Sequence, residues 1–135
     1  MKVLFVDDEP SILRAYERLF RKNFTVCTAA TPQEGLTAIR NEDIAVVVSD
    51  MRMPEMNGVE FLAKAKEISP ASIQILLTGN PTDPGDYEND RYFRCLQKPC
   101  DRKHLQAILN EASAAHMRLA TTMREHSSHV VSATA

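Results

Sequence analysis

The chain has 135 residues, 44% of them apolar and 25% charged, with a net charge of −2, which suits one domain with an ordinary core. That balance gives no field for gripping nucleic acid, so direct DNA or RNA binding is not expected. The N-terminus runs straight into a strand pattern and no apolar run approaches the roughly 20 residues of a membrane helix, so neither signal peptide nor span is expected and the predicted location is cytoplasmic.

The first predicted element, KVLFV, is a continuous apolar strand that stops on Asp7 and Asp8. Ile12, Leu13, Tyr16, Leu19 and Phe20 then recur at helical spacing and define one amphipathic face. A shorter helix carrying Leu36, Ile39 and Arg40 is opened by Thr31 as cap, Pro32 at its first position and Glu34 as capping-box acid. The run IAVVVS leads to Asp50, and Asn57 with Glu60 repeats the capping device before Val59, Phe61, Leu62, Ala65 and Ile68. SIQILL ends on Thr78. Apolar runs of this kind (Val3 to Val6, Ile44 to Val48, Ile73 to Leu77) suit strands buried on both faces, as parallel strands are.

Residues 79–91, GNPTDPGDYENDR, offer a helix almost nothing to bury, so a loop or one ragged turn is predicted there. A fifth strand from Tyr92 to Leu96 leads to Lys98, and Asp101 caps a helix predicted from Arg102 to about Arg124. Its seam of Leu105, Ile108, Leu109 and Ala112 faces the sheet. Beyond about Ala114 the helix is expected to outrun the sheet, and the spacing of Leu109, Ala112, His116, Leu119 and Met123 suits pairing with another helix, so a homodimer through Arg102 to Arg124 is a candidate assembly. The predicted organisation is a domain over residues 1–115, a helical extension or linker over 116–126 and a disordered tail over 127–135. Strand and helix alternate five times, which argues for an α/β doubly wound parallel sheet.

In such a sheet the carboxyl ends of the strands line one crevice, so Asp7, Asp8, Asp50, Thr78 and Lys98 meet there. Two carboxylates about 4 Å apart repel by roughly 1 kcal/mol in water and roughly 4 at an effective dielectric near 20, so three of them call for a cation. Oxygen ligands without neighbouring His or Cys favour Mg²⁺ over zinc. With Mg²⁺ held by Asp8 and Asp50, a free oxygen of Asp50 can attack a phosphoryl group while Lys98 shares the transferring charge. Cys27, Cys95 and Cys100 are an odd number at spacings that match no zinc or redox pattern, and are read as buried or partly buried thiols.

Four separated motifs, VLFVDDEP, VVVSDMRMPEMNGVEFL, ILLTGN and FRCLQKPC, together resemble the receiver domain of two-component response regulators over residues 1 to 115. Their flanks are most similar to receivers placed before cyclic-di-GMP phosphodiesterase domains. The resemblance implies a flavodoxin-like (βα)5 fold with strand order 2-1-3-4-5, here with a degraded fourth helix and an extended C-terminal one. It implies that Asp50 takes a phosphoryl group from a sensor histidine kinase or phosphotransfer protein, that Asp8 and Asp50 hold Mg²⁺ directly, that Asp7 acts through water, and that the backbone carbonyl of Arg52 completes the protein's share. Thr78 would bind a phosphoryl oxygen, Lys98 would bridge to the same group, and the bond from Lys98 to Pro99 would be cis. The chain would then be a phosphoacceptor and not an enzyme, apart from self-catalysed transfer to and from Asp50.

Two departures stand out: Cys95 occupies the usual position of an aromatic switch residue, and the stretch between the fourth and fifth strands is short and proline-bearing. They keep open a second reading, a receiver-like dimerisation or docking module that works without phosphorylation. A haloacid-dehalogenase-type phosphatase would want an acid two residues after the nucleophile, where Arg52 stands, and a dinucleotide-binding module would want glycines in the first turn, DDEPS.

Overall fold

The computed structural model of the chain describes residues 1–79 and 93–134, with side chains through residue 125. Five strands, β1 (Lys2–Val6), β2 (Thr25–Ala29), β3 (Ile44–Asp50), β4 (Ile73–Thr78) and β5 (Phe93–Gln97), alternate with helices α1 (Pro10–Phe20), α2 (Pro32–Asn41), α3 (Gly58–Ile68) and α4 (Arg102–Thr134). All strand pairs are parallel and the order is β2-β1-β3-β4-β5, the doubly wound topology expected. The segment predicted to be a loop or degraded helix, residues 79–91, and the predicted strand start at Tyr92 fall outside the described residues, apart from Gly79.

The strand period of two sorts the core into two layers. Val3, Phe5, Val46, Val48, Ile73, Ile75 and Leu77 face α1 and α4, whereas Leu4, Val6, Val47 and Leu76 face α2 and α3. Phe5 stacks on Tyr16 at a ring separation of 4.5 Å and on Phe20 at 5.8 Å, which fixes α1 against the sheet. Leu19, placed on that buried face by its spacing, is exposed instead; the wedge of α1 that meets the sheet is filled by Leu13, Tyr16 and Phe20. Across the sheet, a Cβ on Gly35 would lie 2.8 Å from the ring of Phe61, so the glycine lets α2 and α3 close over that ring.

The caps are those written in the sequence. Thr31 Oγ1 accepts from the Glu34 amide at 3.1 Å, and Glu34 Oε2 accepts from the Ala30 amide at 2.9 Å. Asn57 Oδ1 accepts from the Glu60 amide, and Asp101 Oδ1 from the His104 amide at 2.7 Å. These bonds occupy amides that a helix start leaves without partners.

The last helix differs from expectation in two ways. It continues to Thr134, over residues assigned to a disordered tail, because no glycine or proline follows Pro99 to stop it. It also stays on the sheet longer: Ala115 is buried, and Leu119 packs against the α1-side core. The proposed dimer seam is therefore mostly spent within the chain, since Leu109, Ala112 and Leu119 face its own sheet and Met123 is the seam residue left exposed.

Candidate functional site

The head of the sheet, where the strands end, gathers every site residue the sequence singled out. β1 delivers Asp7, which is 3% exposed, and the exposed Asp8. β3 ends on Asp50. One carboxylate oxygen from each of Asp7, Asp8 and Asp50 lies within 4.8 Å of the others. β5 delivers Lys98, whose Nζ donates to Asp50 Oδ1 at 2.7 Å. Thr78, 2% exposed, closes β4 beside it, and its carbonyl accepts the Lys98 amide at 2.7 Å. The Lys98–Pro99 bond is cis, as the resemblance implied. Arg52 is exposed and lines a groove of about 530 Å³ with Asp8, Met51, Met53, Pro54 and Asn57.

The loop after Asp50 is held by backbone bonds and by one close approach. Met51 donates to the Leu77 carbonyl at 2.9 Å and accepts from the Gly58 amide at 2.8 Å. A Cβ on Gly58 would lie 2.4 Å from the Asp50 carbonyl oxygen and 2.6 Å from Leu76 Cδ1, so only glycine lets α3 begin against the end of β3. Glu55 takes φ 73°, a left-handed conformation uncommon outside glycine, at the tip of the same loop. Sequence reading passed over Gly58, whose only signal is its place directly after the Asn57 cap.

The electrostatics of the cluster are unbalanced. Burial pushes the Asp7 carboxyl above its ordinary value of 3.8; the Glu9 amide, donating to Oδ1 at 2.9 Å, opposes this, while the charges of Asp50 and Asp8 add to it and Lys98 subtracts. Lys98 matches one of three negative charges. A hard dication with oxygen ligands fits such a donor set, because it would relieve both the repulsion and the desolvation.

On the α1 side of Lys98 a second cavity of about 400 Å³ is lined by Tyr16, Leu77, Pro99, Cys100 and Leu105. The Tyr16 phenol there is pushed up to about 12, by burial first and then by the charges of Asp7 and Asp50, so it stays neutral at physiological pH. None of the three cysteines is in a disulfide, and all are partly buried. Cys95 packs with the α3-side core and Cys100 with the α1-side core.

Residues 3–110 match the response regulator receiver domain family. The chain is 33% identical over 113 residues to the transcriptional regulatory protein GlrR of Escherichia coli, a match that covers 82% of this chain and 26% of that one. A solved structure of an adenylate cyclase from Rhodopirellula baltica superposes with a TM-score of 0.83 at 35% identity, covering 92% of this chain and 94% of that one. A response regulator receiver domain protein from Clostridium thermocellum gives 0.78 at 32%, covering 87% and 98%. The chain spans about a quarter of the length of GlrR and of the hydrogenase transcriptional regulatory protein HoxA of Cupriavidus necator. The names of these relatives point to transcriptional regulation and to a cyclase, so the comparisons do not single out the cyclic-di-GMP phosphodiesterase pairing.

Proposed function

The chain belongs to the response-regulator receiver family, and from that premise we propose that Asp50 is its phosphoacceptor. The observation that carries the reading is the joint placement of three carboxylates, one of them buried, with an ammonium 2.7 Å from Asp50. The donor is a phosphohistidine of a sensor kinase or phosphotransfer protein, and the event takes place in the cytoplasm. Among the described residues no helix is long and apolar enough to cross a membrane.

In the proposed step a carboxylate oxygen of Asp50 attacks phosphorus, the bond from phosphorus to the leaving nitrogen breaks, and that nitrogen keeps the electron pair. The product is an acyl phosphate. Asp8 and Asp50 would hold Mg²⁺ directly, with Asp7 through water and the Arg52 carbonyl completing the protein's set; the ion supplies positive charge for the transferring oxygens. Lys98 is already aimed at the nucleophile and carries part of that charge. Thr78 offers a hydroxyl to a phosphoryl oxygen. The fixed loop from Met51 to Gly58 keeps Asp50 from drifting, which matters because transfer depends on a near-attack geometry.

Incubation with acetyl phosphate and Mg²⁺, read by intact-protein mass, tests this. The chain gains one acid-stable, base-labile phosphoryl group, and Asp50→Asn abolishes the gain. No gain in a folded wild-type protein would favour the phosphorylation-independent docking module.

A further inference from the structure

The foot of β4 is clamped from both helix layers. His116 Nδ1, on α4, lies 2.7 Å from the carbonyl oxygen of Ala71, and since that oxygen only accepts, Nδ1 carries the proton. On the opposite face Lys66 Nζ, on α3, donates to the next carbonyl, that of Ser72, at 3.0 Å. Ser72 Oγ donates to the Ser69 carbonyl at 2.7 Å and accepts from Gln74 Nε2 at 2.7 Å. Ser72 is 0% and Gln74 3% exposed, so water cannot replace a bond lost there. The same strand is tied at its head to both chemical loops, through Leu77 to the residue after Asp50 and through Thr78 to Lys98.

We propose that β4 links the phosphoacceptor head to the lower half of α4, with the bond from His116 to Ala71 as the latch. His116 is 45 residues from its partner and sits a turn before Leu119, the last of the described residues packed on the core; Met117, between them, and Met123, a turn further on, are exposed. Among the described residues below the latch, 120 to 125 add no member to the buried core, so this stretch of α4 is an arm with little of its own to hold it. A bond of 2.7 Å is already at the short end of its range, so a shift of β4 in either direction weakens it. In the proposed coupling, phosphorylation displaces the head of β4 through its bonds at Leu77 and Thr78, and the displacement loosens the arm. The latch stands on the contacts alone, while the coupling rests on the phosphoacceptor reading above.

Amide hydrogen exchange over residues 116–125, with and without Mg²⁺ and beryllofluoride as acyl-phosphate mimic, tests both parts. In the wild type the mimic lowers protection of that stretch. His116→Leu lowers it by about five- to tenfold without the mimic, removes the further response and, by linkage, tightens mimic binding. His116→Asn keeps a donor and restores part of the protection. Unchanged protection in His116→Leu overturns the latch, and a response to the mimic that survives this substitution overturns the coupling. If acetyl phosphate fails to modify Asp50 in folded protein, the phosphoacceptor reading falls and the coupling with it, while the exchange of His116→Leu still decides the latch.

Discussion

The two ends of the sheet treat polar groups in opposite ways. At the foot, buried Ser72 and Gln74 and the carbonyls of Ala71 and Ser72 all have partners between 2.7 and 3.0 Å. At the head, Asp7 is just as buried, yet its carboxyl faces two others and is held above its ordinary value by burial first. Satisfied polar groups stabilise a fold, whereas a crowded acidic cluster costs stability and is kept where chemistry needs it.

Substitutions that remove this asymmetry are the sharpest way to break the comparison. Asp50→Asn takes away the nucleophile and eliminates phosphoryl uptake outright, with folding retained by circular dichroism. Gly58→Ala, which forces a Cβ to within 2.4 Å of the Asp50 carbonyl, destabilises by about 1–3 kcal/mol in urea unfolding and slows uptake by displacing the nucleophile.

Asp7→Asn acts in the other direction. Because the folded-state pKa of Asp7 is raised, the folded protein holds this proton more tightly than the unfolded chain. Metal-free stability contributed by the group is therefore full below the ordinary carboxylate value and falls as pH rises through it. At neutral pH without Mg²⁺ the variant gains roughly 1 kcal/mol, a gain that shrinks toward pH 3; Mg²⁺ stabilises the wild type more than the variant. At the foot, His116→Leu costs about 1 kcal/mol in the same unfolding assay, with no dependence on Mg²⁺.

The head was legible from sequence because strand ends are marked by abrupt change: apolar runs stop on Asp7, Asp50 and Thr78, and the period fixes which ends share a crevice. The helix starts were legible at Thr31, Asn57 and Asp101, where a side chain meets an amide only three residues away. What escaped depends on distance through space. The Ala71 partner of His116, the closeness of Gly58 to Asp50, and the side of α1 that hides Tyr16 but not Leu19 are set by how layers pack. The inward facing of the α4 seam escaped for a related reason: spacing of Leu109, Ala112, His116 and Leu119 tells that a face is apolar, and not which surface it meets. The end of β5 moved by one residue, from Leu96 to Gln97, within the usual blur of strand ends.

Borohydride trapping is the most direct measurement of the central claim. After incubation with acetyl phosphate and Mg²⁺, reduction of an aspartyl phosphate leaves homoserine, which peptide mass mapping assigns to a residue. The account predicts homoserine at position 50 and at no other aspartate. Homoserine at Asp7 or Asp8, or none in folded protein under conditions that modify a control receiver domain, would contradict it.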